Sequence, residues 1–343
     1  MGVFNKGSLG KVAAGGVAAA ALATVIGAGA ASAADFTLKF ATASTNDPMH
    51  EFMKVYEACL EPASNNRIDV QLYPSGQLGG VARMIEGIQF GTLEALFVAG
   101  QHMKGVEKRY GVVDAPGLFK SFDQANAAYW DPSFREPYLN AGKDKGVMGI
   151  AIFAYGPTSY QTVEPINTLK DFEGKKLRVL ATEVETRLMK ALGATGLQVD
   201  APDLVPAMQR GQIDGVRSNI VLANALKFYT VGKNYLPTNE AMIPVVPYMS
   251  VQWFDKLPPD LQKAVLDCGR ESEKKGAEIA LQFHNNAEAK WKENGGTINH
   301  LPDADEAQLL AKAQEIGQDV FGNDPDLKPL YDALVAAAKK HSS

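Results

Sequence analysis

Cysteine is nearly absent: Cys59 and Cys268 are the only two in 343 residues. Two thiols so far apart define no disulfide framework. Both sit in helical apolar patterns, beside Leu60 and Val265-Leu266, so they are expected as buried free thiols. Histidine is scarce as well, and His50, His102, His284, His300 and His341 show no pairing at three- or four-residue spacing. With no Cys-x-x-Cys, a zinc-type centre is not expected, and no cofactor is implied. Neither G-x-S-x-G nor a phosphate loop ending in Gly-Lys-Ser/Thr occurs, and the chain offers no catalytic constellation. Positive charge is in deficit, 34 Lys and Arg against 39 Asp and Glu, with no basic run interleaved with aromatics. Nucleic acid is therefore an unexpected partner.

Long apolar runs are missing too, except at the start. Lys6 and Lys11 precede an Ala/Val/Gly stretch from Val12 to Ala30, followed by Ala31-Ser32-Ala33. A basic stretch, an apolar stretch and an A-x-A site make residues 1–33 an expected signal peptide, and the location periplasmic. Without it, 32 basic and 39 acidic residues remain, a net charge of −7. Nothing later approaches the roughly 20 apolar residues of a membrane span. Some 310 residues are left, enough for two lobes of ordinary domain size.

From Phe36 onward strand and helix patterns alternate, which argues for α/β layers. Phe36–Ala43, Ile68–Tyr73 and Leu93–Val98 read as strands. Asp47-Pro48 supplies an N-cap and a first-turn proline for a helix to about Leu60, and Val81–Phe90 reads as a second helix. The grammar repeats after Val147–Phe153: strands at Lys176–Val179 and Ile213–Arg217, helices at Glu183–Leu192, Leu204–Arg210 and Ile220–Leu226. Met242–Val251 then returns as an extended apolar run. A chain that leaves one lobe and comes back crosses more than once, so lobe I is expected over 34–155 and about 243–275, and lobe II over 156–242 and about 276–343. From Asp260 to about Asn294 no proline occurs, and Leu261, Val265, Ala277, Ala280, Phe283, Ala287 and Trp291 recur mostly at helical steps. A helix of that length runs roughly 50 Å, enough to span both lobes.

One polar residue stands out in the apolar patterns. Arg178 lies within Lys176-Leu177-Arg178-Val179, where a guanidinium is costly unless a carboxylate meets its fork. A structural ion pair, or a side chain reaching out to the rim, satisfies it equally well.

Seven segments in this order carry a resemblance: Leu38-Lys39-Phe40; Tyr73-Pro74-Ser75-Gly76-Gln77-Leu78-Gly79; Pro116-Gly117-Leu118-Phe119; Asp171-Phe172-Glu173-Gly174-Lys175-Lys176-Leu177-Arg178-Val179; Ala207-Met208-Gln209-Arg210-Gly211-Gln212-Ile213-Asp214-Gly215; Lys227-Phe228-Tyr229; Leu257-Pro258-Pro259-Asp260-Leu261-Gln262-Lys263. Each is weak alone, but from about Phe36 to Trp291 the chain resembles the substrate-binding subunits of tripartite ATP-independent periplasmic (TRAP) transporters, the DctP-like family. The resemblance implies a two-lobed α/β periplasmic-binding fold with multiple crossings and a long helix spanning both lobes. It also implies a binding protein, not an enzyme, expected as a monomer, with an organic acid as ligand and the membrane permease subunits as partners. The family's carboxylate-binding arginine falls on Arg178.

The departures from the family matter as much. A second pocket arginine, common two residues after the glycine corresponding to Gly156, is replaced by Thr158. Where Gln-Glu-Asn often follows Asp-Gly, this chain has Val216-Arg217-Ser218, followed by Asn219. Other pocket positions fall on Ala43, Val81, Ala99 and Ala201, with His102 nearby. One arginine, hydroxyls at Thr158, Tyr160 and Ser218, and an apolar wall suit an aromatic or hydrophobic monocarboxylate. Two charged anchors would suit a dicarboxylate or a sugar acid, and Arg217 is a candidate for the second; a C4-dicarboxylate or 2-oxo acid is the alternative ligand, and an enzyme acting on an organic acid is the alternative of another class.

Overall fold

In the computed structural model, residues 34–180 and 182–342 are described, together with Gly2. The expected signal peptide therefore lies outside the described segment. Among the described residues ten strands form one mixed sheet: β1 (Phe36–Thr42), β2 (Ile68–Tyr73), β3 (Ala95–Ala99), β4 (Val147–Gly149), β5 (Phe153–Thr162), β6 (Lys176–Arg178), β7 (Thr195–Leu197), β8 (Gly215–Ser218), β9 (Asn234–Ser250) and β10 (Thr297–Ile298). The described residues also form eleven α-helices: α1 (Pro48–Ala63), α2 (Val81–Gln89), α3 (Phe122–Tyr129), α4 (Pro132–Leu139), α5 (Glu183–Ala191), α6 (Leu204–Gln209), α7 (Ile220–Ala225), α8 (Val251–Phe254), α9 (Pro259–Glu293), α10 (Asp303–Gly322) and α11 (Lys328–Lys340).

The sheet order is β2-β1-β3-β9-β5-β8-β6-β7. Its flanks are parallel and joined by helices, as βαβ units must be, while β9 runs antiparallel to both β3 and β5. The 17-residue β9 serves two half-sheets in turn. Its first part, Asn234 to Val245, pairs with β5, and its last part, Val245 to Met249, pairs with β3. Val245 is shared, opposite both Ala99 and Phe153. The expected run from Met242 thus begins eight residues earlier, past Pro237, where alternation is weak.

Local chemistry sets the helix ends. Asp47 caps α1 by accepting the His50 amide at 3.0 Å, with Pro48 in the first turn. Thr182 and Glu185 form a capping box at the start of α5. The long helix α9 has 35 residues, so it extends about 52 Å. Tyr56 of α1 donates to the Val265 carbonyl at 3.1 Å near one end, and Asn224 of α7 donates to the Ala287 carbonyl at 2.9 Å near the other. Gly276 lets it approach the sheet: a Cβ there would lie 2.7 Å from the Phe153 ring and 2.8 Å from that of Phe52. Phe52, Phe97 and Phe153 form the aromatic centre of that contact, with centroids 4.9 to 5.8 Å apart.

The cysteines are not free thiols. Cys59 of α1 and Cys268 of α9 form a disulfide, their Cα atoms 5.7 Å apart across 209 residues of sequence. Helical periodicity places each thiol toward the core, but only the packing of α1 on α9 reveals that they face one another.

Candidate functional site

A cavity opens at the carboxyl ends of β1, β3, β6 and β8, where open α/β sheets place ligands. It encloses about 660 Å³ not occupied by atoms, part of it continuous with solvent. The first half-sheet contributes Thr42, Ala43, Ser44, Phe97 and Ala99. The other contributes Arg178, Ser218 and Asn219, and β9 adds Ile243 and Val245. Met49, Val81, Leu180, Leu222 and Leu226 complete a largely apolar wall.

Arg178 ends β6 and is 5 % exposed. Among the described residues its guanidinium makes one hydrogen bond, from Nε to the Val199 carbonyl at 3.2 Å, and no ion pair. Burial pulls its pKa down, opposed by the charges of Glu185 and Asp200. The terminal nitrogens therefore form a cationic fork in a mostly apolar cavity, an arrangement that suits a carboxylate.

His102 stands beside it, in the 3-10 turn Gly100–Gly105. Burial, reinforced by the Arg178 and Lys104 charges, pushes its pKa down to about 3. The imidazole is neutral, with one donor and one acceptor. Asn219 caps α7 by accepting the Leu222 amide at 3.0 Å, which leaves its side-chain NH₂ available to the cavity. Tyr155 also lines the cavity, but its hydroxyl is committed to Asp47 Oδ2 at 2.6 Å. Ala43, Val81, Ala99, His102, Ala201, Ser218 and Asn219 all line the cavity with Arg178.

Thr158 and Tyr160 do not line it. Strand β5 changes register against β9 between Ala154 and Gly156 and again between Pro157 and Ser159, so simple alternation fails there. The Thr158 hydroxyl, fully buried, donates to Glu240 Oε2 at 2.6 Å and accepts the Ala241 amide at 3.0 Å. Tyr160 turns into a separate apolar cluster, edge-on to Phe172 at 5.1 Å.

Arg217 and Glu185 do line the cavity, as parts of a buried ion cluster. Arg217 Nη1 lies 2.6 Å from Glu185 Oε1 and 3.4 Å from Asp114 Oδ1, and Nε lies 2.9 Å from Glu240 Oε1. The other carboxylate oxygens are held too: Asp114 Oδ2 by the Thr182 hydroxyl at 2.5 Å, Glu185 Oε2 by the Thr182 amide at 3.1 Å, and Glu240 Oε2 by Thr158 and Thr238. Burial alone would lower the Arg217 pKa, but three carboxylates hold it well above the ordinary value. Burial also raises Glu240, which Arg217 and the two threonine hydroxyls outweigh, leaving it below the usual range. Asp114 has only the longer contact with Arg217, so burial dominates and pushes it up to about 7. Thr182-x-x-Glu185 has the spacing of a capping box, a local signal that the sequence reading did not use; the meeting of Asp114 with Arg217, 103 residues apart, leaves no local signal.

Among the described residues no group of three or more His, Cys, Asp or Glu could hold a metal ion, and no helix is long and apolar enough to cross a membrane.

The profile of bacterial extracellular solute-binding protein family 7, DctP, matches residues 40–324. The C4-dicarboxylate-binding periplasmic protein DctP of Shewanella loihica is 24 % identical over 261 residues, 76 % of this chain and 77 % of that one. A TRAP periplasmic solute-binding protein from Xanthobacter autotrophicus, solved with β-D-galacturonate, is 24 % identical, with a TM-score of 0.81 over 87 % of this chain and 99 % of the other. One from Desulfovibrio salexigens, solved with orotic acid, is 22 % identical, with a TM-score of 0.82 over 88 % and 99 %. A family profile spanning most of the chain, on an α/β fold crossed by a long helix, identifies this protein as a member of bacterial extracellular solute-binding protein family 7, the solute-binding proteins of TRAP transporters.

Proposed function

We propose that the protein is a periplasmic solute receptor, not an enzyme, that captures an organic monocarboxylate with an apolar body and delivers it to TRAP permease subunits. Arg178 carries the reading: it is a buried guanidinium whose one hydrogen bond among the described residues goes to a carbonyl, and it opens onto a cavity of Ala43, Val81, Ala99, Leu222, Ile243 and Val245. The carboxylate takes the two terminal nitrogens of Arg178, neutral His102 and the Asn219 NH₂ complete its hydrogen bonds, and the apolar wall takes the body. Capture and release involve opening of the two half-sheets about β9 and β5, the segments they share.

Relatives solved with a sugar acid and a heteroaromatic acid support a carboxylate, and the apolar wall argues for the less hydroxylated kind. A thermal-shift screen decides between classes. A ligand at about 100 times its Kd adds roughly 2.7 kcal/mol of stability. Benzoate-like, cinnamate-like or branched 2-oxo acids are expected to raise the melting temperature above the effect of succinate. Stabilisation by succinate alone would overturn the monocarboxylate reading, and stabilisation by no carboxylate would overturn the carboxylate reading itself.

A further inference from the structure

Arg217 lies on the cavity wall, yet its donors are turned away from it. Its Nε faces Glu240 and its terminal nitrogens face Glu185 and Asp114, all of them side chains no more than 2 % exposed. No paired N–H fork remains for a ligand carboxylate, so the residue that could have served as a second anchor is already occupied. The charge count points the same way. Three carboxylates surround one guanidinium, an excess of two negative charges, or of one when a proton resides on Asp114, and Glu185 brings that excess to the cavity surface.

We infer that the Arg217 cluster is a specificity device: Asp114, Glu185 and Glu240 overcompensate Arg217, so the wall formed by Glu185 and Arg217 repels a second anionic group and restricts the pocket to monoanions. The inference rests on the reading that Arg178 anchors a carboxylate, and it adds something that the apolar wall alone does not. An apolar wall merely fails to help a second carboxylate, whereas a negative wall opposes it, and removing negative charge must relax the opposition. At pH 7.5 Asp114 is mostly ionised, so the cluster carries close to two net negative charges, of which Arg178 balances one; Lys104, whose charge reaches Glu185 and Asp114, and Asp200, whose charge reaches Arg178, offset each other. A monoanion adds one negative charge to that excess and a dianion two, in surroundings where like charges are poorly screened.

The experiment compares matched acids, pentanoate with glutarate and benzoate with isophthalate, by calorimetry at pH 7.5 on the wild-type protein and on Asp114→Asn and Glu185→Gln. Each substitution keeps shape and removes one negative charge, and Asp114→Asn does so without touching the cavity. Thermal melts establish that each variant is folded. The wild type is expected to prefer the monoacid of at least one pair on the order of 100-fold. The variants are expected to narrow that ratio about tenfold or more, chiefly through tighter binding of the diacid. An unchanged ratio in a folded Asp114→Asn protein overturns the inference even if Glu185→Gln does not fold, as does a wild type that binds glutarate as tightly as pentanoate with both dependent on Arg178. Failure of all four acids to bind, or binding unaffected by Arg178→Ala, instead overturns the carboxylate reading.

Discussion

Two arginines end up buried at one cavity in opposite states of compensation, and substitution should separate them. Arg178 retains one hydrogen bond to a carbonyl, worth about 1 kcal/mol net, against a desolvation cost of several kcal/mol for a buried charge. Arg178→Met keeps the volume and discards the charge. The ligand-free protein is therefore expected to melt no lower than wild type, while carboxylate binding weakens by about 2–5 kcal/mol, roughly 30- to 5,000-fold in Kd. Arg217→Met leaves Asp114, Glu185 and Glu240 buried without their cation, at a cost of about 3–5 kcal/mol. With an unfolding entropy of about 2.1 cal/mol/K per residue, that corresponds to a fall of about 5–8 °C for a chain of this size. Calorimetric melts of the two variants, with and without a stabilising carboxylate, check both halves. Equal destabilisation by the two substitutions would refute the view that Arg178 is held for a ligand and Arg217 for the fold.

The pH dependence of stability carries the signature of Asp114, whose carboxyl is raised from its ordinary value of 3.8 to about 7. A raised carboxyl contributes fully below its unfolded pKa and loses that contribution as pH climbs toward the folded one, so the melting temperature of Asp114→Asn relative to wild type should rise between pH 5 and pH 8; a constant difference contradicts the assignment. Replacing Cys59 and Cys268 by Ser releases a constraint across 209 residues and should cost about 2–4 kcal/mol in thermal unfolding, with carboxylate affinity unchanged because neither cysteine lines the cavity. Loss of binding in the folded double variant would contradict that separation of fold from site.

Features set by neighbouring residues could be read directly. Asp47-Pro48 announced the start of α1, and the period of apolar residues from Leu261 to Trp291 announced α9. What was lost depends on distant partners. Thr158 was placed in the pocket by the family's arginine position two residues after Gly156, with Tyr160 as a nearby hydroxyl, and the two register shifts of β5 against β9 turn both side chains elsewhere. The disulfide, the shared use of β9 and the Arg217 cluster all arise where segments far apart in sequence meet, and periodicity contains no such information. Helices α3 and α4, with Pro132 and Pro137 within α4, carried too little amphipathic signal to separate from loop.

The position of β9 has a consequence for how the protein is made. The strand at the centre of the sheet is the ninth to be synthesised, and until residues 234–250 emerge, β3 and β5 present unpaired edges. No sequential pathway from the amino end can complete the sheet, because the pairings of β3 with β9 close loops of well over 100 residues. Such contacts are slow to form, and open apolar edges invite intermolecular pairing in the interval. The nascent chain thus has a built-in delay in which it remains unfinished and depends on being kept apart from its copies, and sequence changes that weaken β9 should appear first as poor yield, before any defect in binding.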